Sequence, residues 1–178
     1  MPIIKLFEEL KLRGLEEAEY IENDKAIDLS KCKRRDLYLE DLDKYDIKEI
    51  NFIIGDNFDF ECMECDKIFI NAGNNCIVNI QEGKASVAAG NNCTITLASG
   101  KFLMVGNNNN LECCNIDEIK FGNSNIIKVG ELILNAKGGS NNDIIIEDTM
   151  EVINYTDTNI ELKENNKMKI GKMEITIK

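Results

Sequence analysis

Gly73-Asn74-Asn75-Cys76-Ile77-Val78-Asn79-Ile80 is followed by Gly90-Asn91-Asn92-Cys93-Thr94-Ile95-Thr96-Leu97, and then by Gly106-Asn107-Asn108-Asn109-Asn110-Leu111-Glu112-Cys113. Outward from these three segments, further turn starts fall at Gly55, Gly122, Gly139 and Tyr155, at spacings of sixteen to eighteen residues. Five residues after the starts stand Phe60, Val78, Ile95, Leu111, Ile127, Ile144 and Ile160; seven after them stand Cys62, Ile80, Leu97, Cys113, Val129, Ile146 and Leu162. Two apolar columns two residues apart, repeating at a fixed period, place one strand of each coil on the next. The expected fold is therefore all-β: a single-stranded β-solenoid (β-helix) of about seven to eight coils, with 16–18 residues per coil.

Each coil carries a second apolar stretch before the next turn, such as Ile50, Phe52 and Ile54, or Ile68, Ile70 and Ala72. A bend marked by Gly83, Gly100 or Gly130 separates the two stretches. The Gly-Asn-Asn turns supply residues that tolerate positive φ. Stacked one per coil, their amides can hydrogen-bond as ladders. A third column, Phe58, Cys76, Cys93, Asn109, Asn125 and Asn142, points inward by alternation, which predicts a buried asparagine ladder in the later coils. The strand pattern begins at Leu37, so residues 1–36 are expected as a cap and 37–178 as the solenoid. Pro2 suits the first turn of a helix, Ile3, Phe7 and Leu10 share one face, and Gly14 suits its C-terminus; a short helix over about residues 2–13 would cover the open sheet end. Residues 15–35 carry no clear periodicity.

The chain has 178 residues, a net charge of -11 and no histidine. An acidic chain is a poor direct ligand for nucleic acid or an anionic membrane. Histidine-based triads and metal sites are excluded. No apolar run is long enough to span a bilayer, and the start has no basic segment followed by a long apolar one. With seven cysteines and no secretory leader, a reducing, cytoplasmic setting with free thiols is expected. Cys62-Met63-Glu64-Cys65 with Cys113-Cys114 has the residue types of a zinc site. The columns place Cys62 and Cys113 three coils apart, about 14 Å, and an extended C-x-x-C aims its thiols at opposite faces, so no metal is expected. Cys76 and Cys93 stack in adjacent coils within disulfide reach, which a reducing compartment disfavours.

Gly138-Gly139-Ser140-Asn141-Asn142-Asp143 resembles a turn of the calcium-binding RTX nonapeptide, but occurs once where that family needs consecutive copies. The Asp36, Asp41, Asp46, Asn51 spacing resembles pentapeptide repeats, yet bulky Arg35, Glu40, Tyr45 and Ile50 stand where that family needs small residues. Asp117-Glu118 and Glu147-Asp148 are neighbours on strands and face opposite ways, which makes a poor acid/base pair. No phosphate loop, dinucleotide fingerprint, catalytic constellation or cofactor site is found. The expected function is therefore non-enzymatic: a cytosolic solenoid that binds another protein through its flat faces or its charged N-terminal region. The partner-binding candidates are Glu16, Glu17, Glu19, Glu22, Asp24, Asp41 and Asp43, opposite a basic cluster at Lys31, Lys33, Arg34 and Arg35. One alternative is an acidic inhibitor, of the kind some phages encode, that occupies the groove of a basic nucleic-acid-binding protein. The other is a self-assembling scaffold. In coil length the chain resembles bactofilins, which implies end-to-end assembly, here as a homo-oligomer through Met173, Ile175 and Ile177 on the last strand. Edge lysines at 167, 169, 172 and 178 oppose such pairing.

Overall fold

The computed structural model describes residues 2–146, 159–162, 164, 166–170 and 173–177. Helix α1 spans Pro2–Leu12. Its C-terminus is closed as a Schellman motif: Gly14 takes φ +90°, Leu15 N–H donates to the Leu10 carbonyl and Gly14 N–H to that of Lys11. Leu6 and Leu10 on the helix join the same buried cluster as the strands, so the helix covers the start of the stack.

A hairpin of β1 (Glu19–Ile21) and β2 (Ala26–Asp28) follows. Strand β2 already pairs in parallel with β4 (Ile50–Ile54), so the stack has a rung within residues 1–36. Next come β3 (Asp36–Asp41), β5 (Asp59–Glu64) and β6 (Lys67–Ala72). The central coils are each one long bent strand: β7 (Ile77–Ala89), β8 (Thr94–Val105), β9 (Asn110–Phe121) and β10 (Ile126–Gly138). All these neighbours pair in parallel. Each coil has a leading face after the Asn turn and a trailing face before the next turn. Between the faces each strand bends without ending; the β7–β8 and β9–β10 pairs shift register there at a bulge, whereas β8 and β9 pass the corner in register.

Phe60, Val78, Ile95, Leu111 and Ile127 form one buried column and Cys62, Ile80, Leu97, Cys113 and Val129 the next, as the repeat predicts. The turns supply the regular corner. Asn57, Asn75, Asn92, Asn108, Ser124 and Asn141 all sit at φ between 55° and 60°. In the column just before them, Asn91 donates its N–H and Nδ2 to Asp56-anchored Asn74 at its Oδ1, and Asn107 does the same to Asn91. Inside, Asn109 donates Nδ2 to Asn125 Oδ1, and Asn125 to Asn142 Oδ1, both at 3.0 Å. The same oxygens accept the backbone N–H groups of Asn109 at 2.9 Å and Asn125 at 2.8 Å, and Asn142 Nδ2 ends the chain on the Ser140 carbonyl. Among the described residues no buried side-chain nitrogen or oxygen lacks a partner.

The solenoid makes about five turns, not seven to eight. The full ones run from Gly55 to Gly138 and both ends are hairpins. The turn read at Tyr155 lies outside the described residues, but the strand after it corrects the register. Strand β12 (Asn159–Leu162) pairs with the end of β10 on the trailing face, putting Ile160 beside Ala136 and Leu162 beside Gly138. On the leading face β11 (Asp143–Ile146) is followed by β13 (Asn166–Ile170), which seats Met168, not Ile160, beside Ile144. An x-Ile-x-Leu alternation fits either face, so periodicity alone could not place it. Finally β14 (Met173–Ile177) folds back antiparallel on β13 and ends the path of the sheet.

Candidate protein-binding face

Two of the expected acidic candidates, Glu17 and Glu19, are matched by the chain's own cations. Lys31 reaches Glu19 at 3.0 Å, Lys33 reaches Glu17 at 3.5 Å, and Arg34 pairs with Asp36 at 2.7 Å. Glu17's own backbone amide, with the amide and ammonium of Lys33, holds its carboxyl below the usual range, and the Glu19 carboxylate raises Lys31. The run at 16–24 and the cluster at 31–35 therefore do not form two opposed patches; hairpin β1–β2 brings them together. Glu16, Glu22 and Asp24 are exposed, Asp41 ends β3 half-buried, and Asp43 lies in the 3-10 turn Asp43–Tyr45.

Both strand faces carry both signs. On the leading face Asp36 and Asp59 stand side by side and Glu61 and Asp143 share the surface, while Glu112 pairs in register with Lys128. On the trailing face Lys67 pairs in register with Lys84 and Lys120 with Lys137, and Lys120 and Lys137 hold Glu118 and Glu161. Alternation sends every second residue of a strand to the same face, so charges far apart in sequence become neighbours.

The trailing face also holds a groove of about 330 Å³ across β2, β4, β6, β7 and β8, lined by Ala26, Ile53, Phe69, Ser86, Ala88 and Phe102. Phe69, Ser86 and Phe102 follow one another in a single outward column. The two half-exposed rings thus stand two strand spacings apart, about 10 Å, over a small serine. Lys67 Nζ lies 4.8 Å from the Phe69 ring and Lys120 Nζ 5.2 Å from that of Phe102. Both ammonium groups also hold carboxylates, Glu49 at 2.7 Å and Glu118 at 2.8 Å. The result is an apolar slot with phenyl walls and a rim of lysines, two of them paired with carboxylates, with Asp24 also in its lining.

The cysteines follow the register with one exception. Cys62 and Cys113 share a column three coils apart. Cys62 and Cys65, however, are both buried and their thiols hydrogen-bond each other, contrary to the extended C-x-x-C expectation. Strand β5 stops at Glu64, and the bend that follows rotates Cys65 inward. Its partner and then burial push the Cys62 thiol up, and burial pushes Cys113 up to about 12. Among the described residues, no cluster of three or more His, Cys, Asp or Glu side chains is placed to hold a metal ion, and no helix is long and apolar enough to cross a membrane. The Glu147-Asp148 pair lies outside the described residues, and Glu118 is engaged by Lys120. Strand β14, with Met173, Ile175 and Ile177, pairs with β13 along one side. A scan against protein-family models matched none of them, and searches of curated proteins and of solved structures found no match.

Proposed function

We propose that this β-solenoid is a non-enzymatic binding module that takes a segment of another protein on its trailing face. The observation that carries this reading is the slot between Phe69 and Phe102, in a chain with only 6% aromatic residues. Exposed apolar surface of this kind marks interaction sites, and aromatic anchors dominate binding energy. The occupant it fits is a segment with a bulky apolar side chain for the slot, flanked by acidic residues for Lys67, Lys84 and Lys120. Elsewhere a chain of net charge -11 repels such a segment, so the same charges give orientation. A displayed library of random twelve-residue peptides, selected on the full chain, tests this. Enriched peptides should share an apolar anchor beside Asp or Glu and lose about tenfold or more in affinity on the Phe69→Ser/Phe102→Ser variant. Peptides that bind that variant equally well would place the site elsewhere.

A second reading has its own observation. The acids of the leading face suit a basic partner, including a nucleic-acid-binding protein. Asp59→Lys with Glu61→Lys should then weaken salt-sensitive binding to that partner. Unchanged binding would remove the inhibitor reading.

A further inference from the structure

We propose that Cys76 and Cys93 form a hydroperoxide-oxidisable dithiol whose product is a disulfide between neighbouring coils. Both hold the third position after a turn start, and Ile77 pairs with Thr94, so the two cysteines stand one rung apart. Parallel strands about 4.8 Å apart lie within the Cα separation a disulfide spans.

The column defines the roles of the two sulfurs. Asn109, Asn125 and Asn142 each aim Oδ1 at the backbone N–H of the coil before, at 2.7 to 2.9 Å. Cys93 Sγ fills that acceptor slot for Cys76 N–H at 3.4 Å. A slot built for an oxygen acceptor favours a thiolate over a thiol. In agreement, the Cys76 thiol, with the backbone N–H groups of Cys76 and Asn75, pulls Cys93 below its ordinary value. Cys76 is pushed the other way, by the hydrogen bond to Cys93 and then by burial; the Gly55 and Asn74 carbonyls, at 3.1 Å and 3.4 Å, are alternative acceptors for its one proton. Asp56 is the nearby acid and opposes ionisation of both. Cys93 is therefore the nucleophile and Cys76 the resolving thiol. The Cys93 sulfur also lies 3.4 Å and 3.5 Å from the Gly73 and Asn91 carbonyls, much as Cys62 and Cys65 lie by those of Glu64 and Glu82; the Cys62–Cys65 pair differs in that its own partner and then burial hold Cys62 protonated.

The Cys93 thiolate attacks one peroxide oxygen. The O–O bond breaks, sulfenic acid forms and hydroxide leaves. Cys76 sulfur then attacks the Cys93 sulfur as its proton passes out, the S–O bond breaks and water leaves. Two thiols lose two electrons and two protons, and one hydrogen peroxide becomes two waters. Both residues are 1% exposed, next in sequence to the exposed Asn75 and Asn92, so only a small oxidant fits and the reaction is slow.

The test is hydrogen peroxide on the native full chain at pH 7.5, followed by denaturation, alkylation of remaining thiols and peptide mapping by mass spectrometry. A Cys76–Cys93 cross-linked peptide should form and revert with dithiothreitol, while Cys32, Cys62, Cys65 and Cys113 stay alkylatable. The Cys76→Ser variant should leave a sulfenic acid on Cys93 that dimedone captures. The wild-type map decides the matter even if that variant folds poorly. A Cys62–Cys65 disulfide forming first, or Cys76 and Cys93 remaining reduced while exposed Cys114 is consumed, overturns the proposal.

Discussion

The buried corner column changes chemistry halfway along the solenoid. In its first half Phe58, Cys76 and Cys93 occupy the site; in its second half Asn109, Asn125 and Asn142 do. The backbone is the same in both halves, and so is its demand: the N–H of one coil points at the side chain of the next. An amide meets that demand and adds a donor, which hands the bond on to the following coil. A thiol meets it more weakly and passes nothing comparable on. The amide half is therefore a connected chain of hydrogen bonds, whereas the thiol half is a packed stack with only soft sulfur acceptors. The outer ladder obeys the same logic at its end. Its first member is Asp56, an acceptor with no donor to satisfy, and Asn74 leans on it with both N–H and Nδ2.

Breaking the connected half should have the largest effect. Asn125→Leu leaves the N–H and Nδ2 of Asn109 without their acceptor in a buried site. At about 1–3 kcal/mol for each orphaned group, denaturant unfolding should show a loss of roughly 3–5 kcal/mol. A loss under 1 kcal/mol would mean the amides are not a structural chain.

The thiol half should respond to pH and the amide half should not. Cys93 is lowered from 9.0 to about 7, so the folded chain holds fewer protons than the unfolded one between those values. Stability should rise with pH across that window, and this gain is lost as pH falls through 7. Above pH 9 the sign reverses, because Cys62, Cys76 and Cys113 are raised and the unfolded chain loses those protons first. Urea titrations at intervals from pH 6 to 9 check this, with Cys93→Ser expected to flatten the rise.

Asn91→Ala, on the exposed side of the same corner, removes the acceptor of Asn107 N–H where water can replace it. A loss of only about 1 kcal/mol is expected in thermal or urea unfolding. Equal losses at Asn91 and Asn125 would show that burial does not distinguish the two ladders. The smallest effect should come from extending the ladder: Cys93→Asn offers Cys76 N–H an oxygen and Asn109 Oδ1 a donor. Stability should hold or rise by up to about 1 kcal/mol. A clear loss would mean the thiol half is too tightly packed to accept an amide.

Much of this was legible before any coordinates. The apolar columns, the positive-φ asparagines, the internal amide ladder and the N-terminal helix follow from local rules: period two along a strand, one turn per coil, and the cost of an unpaired buried amide. The last coil was misread because the sequence between Leu162 and Asn166 has no glycine to announce a turn, while Ile160 and Leu162 alternate in a way that suits either face. The ion pairs of Glu17 and Glu19 were not legible because their cations lie 16 and 12 residues further on, across a hairpin with no apolar periodicity to reveal it.

Period and composition determined that this chain is a β-solenoid with an asparagine corner, since every coil must bury the same columns against its neighbours. Tertiary structure alone decided what the surface presents. Alternation with the inward Ile68, Ile70, Leu103 and Val105 already turns Phe69 and Phe102 outward. Alternation along one strand does not fix which outward residues of different coils become neighbours. The pairing of β6 with β7 and of β7 with β8, past the unpaired Lys101, stacks Phe69, Ser86 and Phe102 in one column, because register is set by how strands pack.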